Sequence, residues 1–483
     1  MRIFFFVILS LSFGSCYAQS SKDVRLAIQK MAAEESLKNA SISFYALDVD
    51  SNKVIAGLGV NKSLVPASTM KLITTATALE LLGPKHQFIT RIAYSGEIDS
   101  NGTLNGNIYI VGGGDPCLGA ERYKKYYGNF ISQWAESIVQ LGIDSINGRV
   151  IADASIFDEQ MIPSTWIWAD LGNYYGAGPS GLSIYENYCK IEMKSGKKGD
   201  SAHIVCVNPY IPYLEFDNYV KSVLTKKDES YIFGAPYQEN RIIKGGIPLY
   251  RKSFVVKGSI PDPSYLAAFE LDMELRGMGL KIALPSSTTV KLKENKKIER
   301  HTIFKEKSPF LIDIIKQTNH YSINLYAEHL LNYIGYVKLK SGDTFSGAQA
   351  LMKFWKEKNV GVSGMYVNDG SGLSRFNAVT SRQMVNILNY MSKSENSTYF
   401  KESLAVAGKS GTMRNVGKGT VAQGKIRAKS GYMTRVRSYA GYVKTKNNRN
   451  IAFALIVNNY NCTPYQMKKK MEKIMIKLAE INQ

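Results

Sequence analysis

The chain has 483 residues, 45% hydrophobic and 21% charged, with a formal net charge of +21. This composition excludes a disordered or collagen-like chain and supplies core for about two to four domains. Cys117, Cys189, Cys206 and Cys462 are too few and too scattered to form the disulfide framework of a small secreted scaffold.

The chain opens on Met1-Arg2, a short apolar run to Leu11, and small residues at Cys16-Tyr17-Ala18. This pattern predicts a secretory signal peptide, residues 1–18, cut after Ala18 and too short to span a bilayer. Gly14-Ser15-Cys16 also admits a lipid on Cys16, although Phe13 stands where leucine is usual. Later apolar runs are too short to span a membrane, so the mature chain is expected to be exported and soluble or peripheral. In that setting the basic clusters, as at Lys293 to Lys297 and Lys468-Lys469-Lys470, point away from nucleic acid. They suit anionic wall polymer, lipid headgroups or carboxylate-bearing substrates, with a solvated basic surface as the plain alternative. Cys189 and Cys206 are near enough in sequence to bridge a hairpin, a pairing that sequence leaves open.

After a helix over residues 21–37, alternation predicts strands at 42–49 and 53–59 joined by the turn Asp50-Ser51-Asn52. Pro66-Ala67-Ser68-Thr69-Met70-Lys71 follows, and Leu72, Ile73, Ala76, Leu79 and Leu82 continue at helical spacing to Gly83-Pro84. Ser68 and Lys71 then share a helix face. A serine hydroxyl needs a base, and a lysine whose pKa is lowered by burial and by a second cation can serve. A Ser-x-x-Lys tetrapeptide alone occurs by chance in most long chains. Its place at a helix start, where free N–H groups favour developing negative charge, adds weight.

Strands are predicted at 88–94, 107–111 and 149–153, with a helix over 122–141. Gly112-Gly113-Gly114-Asp115-Pro116 reads as a tight turn and not a phosphate loop, because no Gly-Lys-Ser/Thr follows. Residues to about 260 are strand-rich, and 264–276 form a helix capped at Asp262-Pro263. Further helices are expected from 308 through 334 and over 380–391. Strands follow at 424–429, 438–443 and 451–458, with a last helix over 465–478. Strands and helices at both ends with a different middle suggest one domain split by an insertion.

Two more motifs supply partners for Ser68. In Ser322-Ile323-Asn324 the serine can relay a proton and the asparagine can bond a substrate amide. Lys429-Ser430-Gly431 ends a strand-like run. Its lysine and hydroxyl can hold a carboxylate, and its glycine lets substrate backbone approach as an added strand. The Tyr432 and Ser68 N–H groups can form an oxyanion hole. A second copy, Lys409-Ser410-Gly411, lacks the preceding strand pattern. His86, His203, His301, His320 and His329 form no His-Glu-x-x-His pair, and no Gly-x-Ser-x-Gly elbow is present, so no metal or organic cofactor is expected. His320 and His329 are expected on a helix surface or in local bonds.

The order Ser-x-x-Lys, Ser-x-Asn, Lys-Ser-Gly resembles the penicillin-interacting serine transferases and hydrolases. With Gly112 to Pro116, Asn368-Asp369-Gly370-Ser371-Gly372-Leu373-Ser374-Arg375 and Ala407 to Thr412, the chain resembles the low-molecular-mass class C penicillin-binding proteins over nearly its whole mature length. The resemblance implies an α+β fold, a transpeptidase/β-lactamase-like domain with an antiparallel sheet flanked by helices. It would be built from residues 19–88 and 300–483, with 89–299 forming two smaller accessory domains.

The implied activity is that of a periplasmic serine D-alanyl-D-alanine carboxypeptidase or endopeptidase. It would act on peptidoglycan stem peptides and be acylated by β-lactams. The implied roles are Ser68 as nucleophile, Lys71 as base, Ser322 as relay, and Asn324, Lys429, Ser430, Gly431 and Tyr432 as substrate-binding residues. Ser430 replaces the commoner threonine but keeps the hydroxyl. Glu328-His329-Leu330-Leu331-Asn332 fits a β-lactamase deacylation pattern, yet it shares a helix with Asn324 and reads as coincidence. A serine β-lactamase or esterase on the same scaffold and a non-catalytic wall-binding protein stand as alternatives.

Overall fold

The structure, a computed structural model, describes residues 21–294 and 298–482. The predicted signal peptide with Cys16, and part of the Lys293 to Lys297 cluster, lie outside the described residues.

The central sheet has six antiparallel strands in the order Ala405–Val406, Ile426–Met433, Val436–Lys444, Asn450–Asn458, Ser41–Asp48, Val54–Leu58. Asn450–Asn458 is buried almost throughout, so its period of two sorts residues between two cores and not between core and water. Phe453, Leu455 and Val457 pack with Val24, Ile28 and Met471 of the terminal helices Ser21–Ala32 and Pro464–Glu480. Ala452, Ala454 and Ile456 face the opposite core, with Leu72 and Ile73 of the helix Met70–Leu82 and Leu388 of Ser381–Lys393. Thr380 and Thr463 start their helices with capping boxes.

The chain leaves this unit at Phe88 and returns at Ser308, where the Phe88 N–H donates to Ser308 Oγ and the Ser308 N–H to Phe88 O, both at 2.9 Å. Between them lie a five-stranded sheet, a four-stranded sheet and two three-stranded sheets. The strand His301–Lys307 pairs with Ile89–Tyr94 and so belongs with the intervening segment.

Several local expectations need correction. The helix expected over 122–141 is broken at Gly128-Asn129 into Lys124–Tyr127 and Phe130–Val139. The helix Thr344–Glu357 was not predicted, although Asp343 caps it through the Ser346 N–H and Leu351 and Trp355 bury its inner face. The Cys189–Cys206 bridge, which the sequence leaves open, is not formed. Cys189 is buried opposite Gly258, whereas Cys206 is exposed opposite Glu192, and both thiols are free.

Candidate active site

Ser68 lies in a single 3-10 turn, Ala67–Thr69, that leads into the helix Met70–Leu82. Pro66 precedes it, and Ala67 is held at φ +47°, a conformation costly for a residue with a Cβ. Surroundings fix this turn. Pro66 O accepts from Thr69 Oγ1 at 2.7 Å and from Ser438 Oγ at 2.5 Å, which ties the nucleophile turn to the central sheet. The result is a half-buried Ser68 beside a fully buried Lys71.

Lys71 Nζ donates to Ser68 Oγ at 3.2 Å, Asn324 Oδ1 at 2.7 Å and the carbonyl of Ser371 at 2.6 Å. Burial pulls its amine down to about 7, while the Asp369 and Glu328 carboxylates pull it back up. Two carboxylates that the sequence reading did not name thus neighbour Lys71. A second cation stands close by as well, since the Lys429 ammonium is pushed well below the ordinary lysine range by burial and by Lys71.

The helical region expected from 308 through 334 is two helices, Leu311–Tyr321 and Asn324–Leu339. Ser322 forms the break, in the left-handed conformation at φ +62°. The break turns Ser322 Oγ toward Lys429 Nζ, which donates to it at 2.8 Å. Asn324, at the start of the second helix, accepts from Lys71 with its carbonyl and donates its amide to Tyr175 O at 2.8 Å. Only the first of these bonds involves residues that the motifs had linked.

Lys429-Ser430-Gly431-Tyr432 lies within the strand Ile426–Met433, directly beside Ser68. A Cβ on Gly431 would sit 2.7 Å from Pro66 O and 3.0 Å from Ser68 N, so this approach requires glycine. The other copy, Lys409-Ser410-Gly411, leads into the turn Gly411–Met413 at the far end of the neighbouring two-residue strand, and Ser410 Oγ accepts from the Val406 N–H at 3.0 Å. The expected set Ser68, Lys71, Ser322, Asn324, Lys429, Ser430, Gly431 and Tyr432 is thus drawn from three separate stretches to one place.

Two further acids belong to the site. Glu328 is fully buried and accepts the N–H groups of Gly370 at 2.9 Å and Ser371 at 2.7 Å. Asp369 accepts from the Gly372 N–H at 2.7 Å, from Asn377 Nδ2 at 2.6 Å and from Trp166 Nε1 at 2.8 Å. Burial pushes the Glu328 carboxyl up, although its two backbone bonds favour the charged form. Glu328 is therefore part of the lysine's setting, a role apart from the deacylation pattern it happens to match. Its signal was the acid one helical turn beyond Asn324, i and i+4 on one face. His329, expected on a surface or in a local bond, is buried, with its ring nitrogens 3.0 Å from Gly114 O and 2.9 Å from Ser183 Oγ. It braces the triple-glycine turn.

Comparison with known proteins gives a consistent picture. A D-alanyl-D-alanine carboxypeptidase of Actinomadura sp. (strain R39) is 27% identical over 474 residues, 95% of this chain and 85% of that protein. D-alanyl-D-alanine carboxypeptidase DacB of Haemophilus influenzae is 25% identical over 442 residues, 90% of this chain and 88% of that protein. The crystal structure of penicillin binding protein 4 (dacB) from Haemophilus influenzae superimposes with a TM-score of 0.79 at 23% identity, covering 95% of this chain and 99% of that one. Its complex with a β-lactam gives 0.74 at 21% identity, with 95% and 98% coverage. These likenesses establish the α+β fold. Since residues 24–480 match the family as a whole, the chain belongs to the D-Ala-D-Ala carboxypeptidase 3 (S13) family.

Proposed function

We propose that this D-Ala-D-Ala carboxypeptidase works through an acyl-enzyme on Ser68, with Lys71 as its base. The carrying observation is Ser68 Oγ 3.2 Å from a buried lysine whose pKa is drawn down to about 7. At that value a large fraction of Lys71 is free amine at neutral pH, able to take the hydroxyl proton.

In this reading Ser68 Oγ attacks the penultimate D-alanine carbonyl carbon. The oxyanion is held by the N–H groups of Ser68 and Tyr432, which the close approach of Gly431 to Ser68 N supports. Collapse breaks the C–N bond, and the proton first taken by Lys71 reaches the leaving amine with help from Ser322. Lys429 and Ser430 hold the terminal carboxylate, the Asn324 amide orients the peptide, and water then releases the acyl group. The same attack on a β-lactam leaves Ser68 acylated. A carboxylate site at Lys429 favours cleavage of a terminal residue, with cross-link hydrolysis as a second activity.

We further propose an exported, periplasmic enzyme acting on peptidoglycan stem peptides. Residues 19–88 and the C-terminal part would form the catalytic unit, and the intervening segment accessory domains. The strand pairing of His301–Lys307 with Ile89–Tyr94 supports a second join near Ser308 and not at residue 300. No helix among the described residues is long and apolar enough to cross a membrane.

Intact mass of residues 19–483 after brief exposure to benzylpenicillin tests the assignment. A lasting adduct on wild type and none on Ser68→Ala is expected. An adduct retained by Ser68→Ala would refute it, and drug hydrolysis without an adduct would favour a β-lactamase.

A further inference from the structure

The segment 168–176 reaches in two directions. At one end the Tyr175 carbonyl accepts from Asn324 Nδ2 at 2.8 Å, inside the candidate active site. Along its length it packs on the short strand Tyr231–Phe233. Asn173 Oδ1 accepts from the Ile232 N–H at 3.2 Å, and a Cβ on Gly172 would lie 2.2 Å from Ile232 O. That strand edges a three-stranded sheet in the order Glu215–Val223, Asn240–Pro248, Tyr231–Phe233.

One face of this sheet is open. Exposure alternates along Glu215–Val223, with Glu215, Asp217, Tyr219 and Lys221 outward and Val220 and Ser222 buried. Tyr219 is directly opposite Lys244, and Lys244 is directly opposite Tyr231, so the three side chains form one row across the strands. Tyr219 is 60% exposed and Tyr231 49%, and Lys244 Nζ lies 5.6 Å from the Tyr219 ring centroid. Two residues on from Tyr231, Phe233 lies 6.5 Å from Trp168, itself 50% exposed. Large aromatic side chains left open in a line, with a lysine among them, are costly to leave to water and mark a binding surface.

We propose that this row is a platform for the glycan strand of peptidoglycan, carrying it past the active site. The inference rests on the proposed peptidase reading. Tyrosine and tryptophan faces stack on the C–H faces of sugar rings while their polar tips stay wet. The row from Tyr219 to Tyr231 spans two strand spacings, about 10 Å, the length of a disaccharide. Lys244 sits where it can meet the carboxylates that such a strand and its peptides carry. Asp217 and Glu215, on the same face, disfavour a densely anionic polymer as the occupant. The Tyr175 carbonyl at Asn324 makes the platform continuous with the place where the attached stem peptide would be cut. Affinity for the strand would then raise the local concentration of stem peptides without any new contact at Ser68.

The test uses the full mature chain and two probes, intact sacculi and soluble glycan strands stripped of stem peptides. The triple variant Trp168→Ala/Tyr219→Ala/Tyr231→Ala should bind stripped strands about tenfold more weakly than wild type. It should cleave sacculi more slowly, while its acylation by benzylpenicillin stays within about twofold of wild type. Equal binding of stripped strands by wild type and variant overturns the proposal, as does failure of wild type to bind them. A variant that loses acylation as well overturns it too, since these residues would then serve the active site itself. Loss of binding in Lys244→Met but not in the triple variant would assign the face to an anionic polymer and overturn the glycan reading. Absence of acylation in wild type would sink the peptidase reading alone, because strand binding is measured without it.

Discussion

Lys71 Nζ donates to the main-chain oxygen of Ser371 at 2.6 Å, across 300 residues of sequence. The same peptide unit offers its N–H, on Gly372, to Asp369 Oδ1 at 2.7 Å. The preceding two N–H groups, of Gly370 and Ser371, are taken by Glu328. Two buried acids therefore hold a loop that presents the Ser371 carbonyl to the lysine. Close packing enforces the arrangement, since a Cβ on Gly372, at φ +81°, would lie 1.9 Å from Ala67 O. The loop is thereby locked against the nucleophile turn.

This makes Glu328→Gln a sensitive variant. The amide keeps one acceptor and turns its NH2 toward a backbone N–H, leaving a buried donor unsatisfied at a cost of about 1–3 kcal/mol. Acylation by benzylpenicillin should slow about tenfold through displacement of Lys71. The acid also raises the Lys71 pKa, so its removal should move the acid limb of the rate profile to lower pH. A variant that only melts earlier, with an unmoved limb, would show that Glu328 serves stability alone.

The pH dependence of wild type has a definite sign. Protonated Lys71 cannot accept the Ser68 proton, so acylation should fall as pH drops through about 7, where burial places this group. Lys429 must carry charge to hold a carboxylate, and burial lowers its pKa even where Lys71 is neutral. The alkaline fall should therefore come well below the usual lysine range. Second-order acylation rates across about pH 5 to 10 should trace a bell. A flat profile through neutrality would remove Lys71 as the base.

Legibility in the sequence followed the range over which each feature is determined. Ser68 and Lys71 are one helical turn apart, and Lys429 to Tyr432 run along one strand, so local period put each group on its element, while the family resemblance linked the two stretches. The strand Asn450–Asn458 was readable for the same reason. The Ser322 break was not. Its φ of +62° interrupts a helical pattern that continues on both sides, and the bond to Lys429 that rewards it comes from 107 residues away. The place of Glu328 beside Lys71 is not legible in the sequence, because its partners are main-chain N–H groups of Gly370 and Ser371, which have no signature at the level of side chains. The cysteine pairing stays open in the sequence because it turns on parity. Cys189 points into the core and Cys206 faces out, and no spacing rule reports that.

Gly431 separates space from chemistry. Gly431→Ala adds a single methyl against Pro66 O and Ser68 N, both backbone atoms of the fixed nucleophile turn. The strand must move away from Ser68, taking the Tyr432 N–H with it. Loss of one oxyanion donor costs on the order of 10² in rate, so acylation should fall by that order with little change in melting temperature. Gly361→Ala, where a Cβ would meet nothing within 4 Å, is the matched control and should leave the rate unchanged. Equal rates in the two variants would exclude the strand edge at Tyr432 as a partner of the oxyanion.

The free thiols give a last check that reaches beyond the active site. Cys206 Sγ lies 3.5 Å from Glu192 Oε2 on an exposed strand, and the buried Cys189 thiol is pushed up to about 12 by desolvation. An exposed Cys206 should react with iodoacetamide in the native enzyme, while Cys189 and Cys117, both buried, should react only after unfolding. Reductant should leave the melting temperature unchanged, since there is no bridge to break. Mass analysis after denaturation without reductant should show Cys117, Cys189, Cys206 and Cys462 all alkylated. Protection of Cys189 and Cys206 together under those conditions would mean that Asn208 and Lys190, paired on the same hairpin, sit in a different register from the one described, because only a shifted strand could bring Cys206 opposite Cys189.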